Sequence, residues 1–179
     1  MMKKYLQFLK ESNQNRYEYG CVMVDYNFSN WSELLQSINQ DDLYEVEGKN
    51  YGLQTRPHLT LLYGIHEEVT DDQILKCFDG FTEEDFKVQI TGVSIFENPE
   101  FEVVKLEIEK SSKLQEINRR LSELPNSNQF PEYKPHITLA YVKKGKGQKY
   151  INPNYKYQIK NIARISYTRP DKSELKIEL

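Results

Sequence analysis

A chain of 179 residues with 38% hydrophobic and 28% charged residues can bury one sizeable core, or form two small lobes that share one. Its net charge of −3 lacks the basic excess of a protein that coats long nucleic acid, yet allows a local positive pocket for a small nucleotide. Cys21 and Cys77 have no metal-type spacing and lie in apolar stretches, as reduced core residues of an intracellular protein do. No run reaches the length of a membrane span, and residues 1–13 lack the apolar block of a secretion signal, so a cytosolic protein without a membrane partner is expected.

In chain order, Met2, Tyr5, Leu6 and Leu9 have helical spacing over residues 2–12. The apolar run Tyr19 to Tyr26 reads as a buried central strand. Ser29 and Asn30 are placed to cap a helix through Ile38 with a face of Trp31, Leu34, Leu35 and Ile38. The acidic stretch 41–51 reads as a loop or short helix. Thr70-Asp71-Asp72-Gln73 is a capping box opening a helix through Phe78. Two extended runs, 86–96 and 101–109, flank Glu97-Asn98-Pro99-Glu100 and predict a hairpin. In the second run Val103, Lys105, Glu107 and Glu109 alternate with Val104, Leu106 and Ile108. Ser111 or Ser112 opens a helix with a stripe of Leu114, Ile117, Leu121 and Leu124. Strands are expected over 157–167 and 174–179, joined at Arg169-Pro170-Asp171-Lys172.

One octapeptide occurs twice: Arg56-Pro57-His58-Leu59-Thr60-Leu61-Leu62-Tyr63 and Lys134-Pro135-His136-Ile137-Thr138-Leu139-Ala140-Tyr141. Proline suits the first position of a strand, and it biases the basic residue before it toward extended geometry. Side chains alternate along a strand, so His58 and Thr60 share one face while Leu59 and Leu61 share the other. His136 and Thr138 are presented the same way, opposite Ile137 and Leu139. Continued parity places Tyr63 and Tyr141 with the packing leucines. Each motif follows a strand and a helix, so the order strand, helix, motif strand repeats. Together with the hairpins, this predicts an α+β fold of two pseudo-equivalent antiparallel lobes around a central cleft, in a single domain spanning 1–179.

Two imidazoles and two hydroxyls around a cleft suit acid–base chemistry on a phosphodiester. Imidazole titrates near ~6.5, so one copy can accept a proton while the other donates one. The threonines can hold the non-bridging phosphate oxygens. Each His is paired with Thr rather than with a second ligand type, so neither a metal nor another cofactor is expected. Which His is the base, and whether ribose hydroxyl or water attacks, stays open.

These motifs resemble the 2H phosphoesterase superfamily, whose bilobal LigT-like α+β fold carries one His-x-Thr strand per lobe. The resemblance covers about residue 20 to the C-terminus and implies His58, Thr60, His136 and Thr138 as catalytic residues. The chain looks most like the phage anti-CBASS branch, on its small size, the strand Tyr19-Gly20-Cys21-Val22-Met23, and the turn Phe96-Glu97-Asn98-Pro99 leading to Val103-Val104-Lys105. That likeness implies cleavage of cyclic di- or trinucleotide messengers, with 2′-5′ or RNA phosphodiester cleavage, or nucleotide binding without turnover, as alternatives. It also implies that Tyr19 stacks on a base. Phe96, Tyr133 and Trp31 are further aromatic candidates for stacking, with core or rim packing as the alternative. Arg56 and Lys134 share the parity of the histidines and are candidates for raising the potential around phosphate. The lysines of 143–149 form either a mobile phosphate cover or a solvated run. His66, beside Glu67 and Glu68, reads as a solvated loop residue.

Overall fold

The apolar run from Gly20 to Tyr26 forms the strand its composition requires, with Val22 and Val24 fully buried. The structure, a computed structural model, describes residues 17–179, so the helix expected over 2–12 lies outside the described residues. The strands are β1 (Gly20–Tyr26), β2 (His58–Ile65), β3 (Val88–Glu97), β4 (Phe101–Ile108), β5 (His136–Lys143), β6 (Tyr157–Ile159), β7 (Ile162–Thr168) and β8 (Glu174–Ile177). The helices are α1 (Trp31–Gln36), α2 (Asp71–Cys77) and α3 (Ser112–Ser122). Strands pair antiparallel in the order β6-β3-β4-β5-β2-β1-β7-β8. This is the α+β architecture expected, with the two motif strands side by side at its centre.

The centre is also the sheet's narrowest join. β2 and β5 share one registered pair, Leu59 with Ile137, whereas β1–β2 and β4–β5 pair along most of their length. The sheet therefore consists of two four-stranded halves, β2-β1-β7-β8 and β5-β4-β3-β6, joined at Leu59 and Ile137. Both of these side chains are fully buried, and one continuous apolar cluster draws on both halves.

Local signals set the helices. Thr70 and Gln73 form the expected reciprocal cap on α2, and the Ser111 side chain accepts the Leu114 N–H at the start of α3. Leu114, Ile117 and Leu121 are buried, and α3 packs against β2. α1 ends at Gln36 rather than Ile38, and Asn30 makes no side-chain cap bond, its oxygen being taken by the Ser29 hydroxyl at 3.2 Å. Ile38 is buried all the same.

The largest departure is at residues 157–167, which are two strands and not one. β6 pairs with β3 at one edge of the sheet, while β7 pairs with β1 in the other half. Between them the Asn161 carbonyl accepts the Asn27 N–H at 2.9 Å. Both pieces are β-rich in composition, and only their partners separate them. Among the described residues no helix is long and apolar enough to cross a membrane.

Candidate functional site

Each motif is held by its own backbone. The Tyr26 N–H donates to the Pro57 carbonyl at 3.0 Å, and the Ile108 N–H donates to the Pro135 carbonyl at 3.3 Å. The His58 Nδ1 lies 3.1 Å from the Arg56 carbonyl, and the His136 Nδ1 lies 2.8 Å from the Lys134 carbonyl. A carbonyl only accepts, so each Nδ1 carries the hydrogen and each Nε2 is the atom left for chemistry. The basic residue before each proline thus contributes its carbonyl. The Arg56 guanidinium is exposed and reaches Asp25 at 3.2 Å, and the Lys134 ammonium is exposed near Glu132 at 3.8 Å.

The Leu59–Ile137 pair brings the motifs together. One residue to either side, on the opposite face, His58 falls beside Thr138 and Thr60 beside His136. The two imidazoles lie diagonally across this set, and the charge of His58 bears on His136. Among the described residues, no three His, Cys, Asp or Glu side chains gather as a metal site requires.

Strand parity does not carry through to the tyrosines. Thr60 pairs with Met23 and Leu62 with Val22, so Leu61 is an extra residue in β2. Thr138 pairs with Lys105 and Ala140 with Val104, so Leu139 is the matching extra residue in β5. These are β-bulges at equivalent places, and each reverses the parity beyond it. Tyr63 and Tyr141 therefore lie on the face of the histidines. The Leu61 carbonyl accepts from Asn118 Nδ2 at 2.7 Å and the Leu139 carbonyl from the Gln54 N–H at 2.8 Å. Neither bulge leaves these carbonyls unsatisfied.

The flipped tyrosines build an aromatic group at each end. Tyr63 meets Tyr19 edge-on at 6.0 Å, and Tyr19 stacks on His66 at 5.8 Å. Tyr141 joins Phe101 and Val103 in a small cluster against which Tyr44, Tyr51 and Phe96 pack. Tyr19 and Phe96 are thus beside the motifs, but Phe96 lies edge-on to His136 at 5.0 Å, a contact to the imidazole itself. Trp31 is core, donating Nε1–H to the Gln54 carbonyl, and the Tyr133 hydroxyl donates to the Thr60 carbonyl at 3.0 Å.

The neighbouring strands supply charged groups that motif reading did not single out. Asp25 stands opposite His58, and Glu107 stands opposite His136. Asp25 is 3% exposed and receives Arg164 Nε at 2.6 Å. Lys105, 2% exposed, donates to Ser94 Oγ at 2.7 Å and to Glu107. Burial raises the Glu107 carboxyl, but its bonds to Lys105 and Ser94 leave it below the usual range; burial also pulls Lys105 down. The charged alternation of Lys105 and Glu107 on a central strand was the available signal.

Burial drives the His136 imidazole down to about 4, with the charges of Lys105 and His58 adding and the Lys134 carbonyl and Glu107 opposing. Unfolded chains take this proton near 6.5, before the folded protein does, so acidification favours unfolding. The contribution is complete above pH 6.5 and is lost as pH falls toward 4, with an upper bound of roughly 3 kcal/mol. Urea unfolding at pH 7 and 4.5 should show a smaller stability loss in His136→Gln than in the wild type; equal losses would refute this titration.

Three other expectations change. His66 is half-buried, bonded to Ser127 Oγ at 2.7 Å, and its backbone N–H is bound to the Pro125 carbonyl, so it tethers a loop. The lysine loop is strapped down: Lys143 bonds the Asp41 carbonyl, Lys144 reaches Glu97 and Glu102, Lys149 pairs with Asp42, and Glu102 accepts the Gly147 N–H at 2.6 Å. Three of its four ammonium groups thus have partners, which does not fit a mobile cover. Cys77 is buried, but Cys21 lies on the motif face against Thr60, its thiol pushed up to about 12 by burial and therefore protonated.

The family model for the 2′-5′ RNA ligase superfamily matches residues 28–167. In fold, Usb1 of Kluyveromyces marxianus superposes with a TM-score of 0.56 at 8% identity, over 90% of this chain and 98% of that one. Its structure with uridine monophosphate gives 0.48 at 8% identity, over 90% and 99%. A structure described as a phosphoesterase gives 0.48 at 13% identity, over 90% and 99%. No curated protein matches in sequence.

Proposed function

The chain belongs to the 2′-5′ RNA ligase superfamily, the 2H phosphoesterases, and we propose that it is a metal-independent phosphodiesterase acting on cyclic oligonucleotide messengers. The observation that carries this reading is the Leu59–Ile137 register at the central join, which by strand geometry sets His58 beside Thr138 and Thr60 beside His136. One imidazole takes the proton of the attacking hydroxyl, from ribose or water, on its Nε2. The new P–O bond forms as the bond to the leaving oxygen breaks, and the second imidazole gives that oxygen its Nε2 proton. Each such transfer is worth ~10²–10⁴ in rate. The two threonine hydroxyls face the non-bridging oxygens, where charge builds.

The two aromatic groups point to the substrate class. Tyr19 and Tyr63 stand at one end, and Tyr51 and Tyr44, packed on the buried Tyr141 and Phe101, at the other, so a phosphate at the centre has aromatic rings on each side. This suits a phosphodiester between two nucleosides. The finer choice of a cyclic ligand rests on the likeness of the Tyr19 strand to the anti-CBASS branch. Arg56 and Lys134, both exposed at the rim, add positive potential for the anionic substrate.

Incubation with cyclic di- and trinucleotides and with linear 3′-5′ and 2′-5′ dinucleotides, in EDTA, tests the reading by chromatography of the products. Products from the cyclic set are expected. Products from linear substrates alone would replace it with an RNA-type activity, and tight binding without products would replace it with nucleotide capture. Activity abolished by EDTA and restored by a divalent cation would overturn the metal-independent mechanism.

A further inference from the structure

The two halves of the sheet repeat each other in the immediate neighbours of their motifs but place their cations differently: Arg164 stands opposite Asp25, whereas the equivalent place opposite Glu107 is Gly92. Opposite each histidine stands a carboxylate, Asp25 or Glu107. On the next strand out, Ser166 and Ser94 occupy equivalent places, opposite Met23 and Lys105. Opposite the threonines, however, the halves diverge: Met23 faces Thr60, and Lys105 faces Thr138. One motif therefore sits on a thioether and the other on an ammonium.

Packing does not account for that ammonium. The first half fills the same place with an apolar side chain, and a buried charge is costly unless it is well paired. Lys105 is held by Glu107 and Ser94, and its Nζ lies 4.1 Å from the centre of the Phe96 ring. That ring in turn touches His136. In the first half, Ser166 Oγ is buried without a hydrogen-bond partner, while Asp25 takes its cations from Arg164 and Arg56. Buried positive charge beside the threonine is thus particular to the His136 half.

We propose that Lys105 is a positioning residue that assigns the proton-accepting role of the first step to His136 and leaves the proton-donating role to His58. The assignment rests on the phosphodiesterase reading above. The groups that face His136 are Lys105 and Glu107 from β4, Phe96 from β3, His58 from β2, and the Lys134 carbonyl of its own chain segment, while Ser94 from β3 bonds Lys105 and Glu107. Lys105 and a protonated His58 both oppose a second positive charge there. Glu107 favours that charge but is itself tied to Lys105. Burial is the main reason that His136 keeps its Nε2 lone pair, which is what a base requires, and Lys105 reinforces it. In the reverse direction, such as opening of a cyclic phosphate formed in the first step, the same two groups exchange roles.

The test is histidine-selective NMR titration, since the chain holds only His58, His66 and His136 and each can be assigned by substitution. Lys105→Met copies the residue that the other half carries. It should raise the His136 midpoint by about one pH unit or more, and Glu107→Gln, which frees the Lys105 charge, should lower it. Opposite shifts are not the result of general destabilisation, and Glu107→Gln stands alone if Lys105→Met does not fold. A His136 midpoint unmoved in every folded variant overturns the proposal. The acid limb of kcat/KM on a cleaved dinucleotide should follow the NMR midpoint of His136; a limb that follows His58 instead also overturns it. Midpoints that move as expected while no substrate turns over support the control of His136 by Lys105 and overturn the phosphodiesterase reading.

Discussion

His58→Ala and His136→Ala are each expected to lower kcat by ~10²–10⁴ while leaving nucleotide affinity within a few-fold of the wild type. The expectation follows from what each substitution spares. Apart from the Phe96 contact to His136, the threonines, the aromatic groups at either end and the Leu59–Ile137 join are spared by loss of an imidazole. Binding measured by calorimetry and turnover measured at saturation should therefore separate. The double variant should lose much less than the product of the single losses, because the two proton transfers belong to one step. Full turnover in either single variant would remove that histidine from the reaction. Equal losses of affinity and turnover would make the imidazoles binding groups.

Leu59→Ala carries the largest expected loss of stability, about 2–5 kcal/mol for a fully buried leucine. Its place makes it more than one core residue among many. Leu59 is half of the single registered pair between the halves, and it lies between His58 and Thr60 in the chain. A cavity there lets the two motifs shift relative to each other, and small displacements of reacting groups are expensive. Ile90→Ala, equally buried but in β3, is the control. Both should lower the urea midpoint, whereas Leu59→Ala should also reduce kcat at a pH and temperature where both proteins are fully folded. Equal rates for the two folded variants would deny the join any role in aligning the site.

Much of this architecture was legible in the chain because its signals are short-range. The Thr70 capping box, the stripe of Leu114, Ile117 and Leu121, and the turn at Glu97 to Glu100 each depend on residues within a few positions of one another. The repeated order of strand, helix and motif strand then implied two equivalent halves, and β1-α1-β2 and β4-α3-β5 have that order. The bounds of α1 and the split of 157–167 were not legible. There the decisive partner is distant: Tyr157 hydrogen-bonds Ser29, and β7 pairs with β1.

The site divides along the same line. That His58 and Thr60 share a face, as do His136 and Thr138, follows from the pleat, which repeats every two residues wherever a strand is regular. Nothing outside the octapeptides was needed for it. The side on which Tyr63 and Tyr141 emerge depends on bulges at Leu61 and Leu139. A bulge is a mismatch between two strands, so it exists only once β1 and β4 have paired with the motifs. The charges beneath the histidines have the same origin. Lys105 and Glu107 appeared along the chain as the polar alternation of an ordinary strand. Cross-strand register sets them against Thr138 and His136 and their Met23 and Asp25 counterparts against Thr60 and His58, so the difference between the halves lies in pairings between residues far apart in the chain.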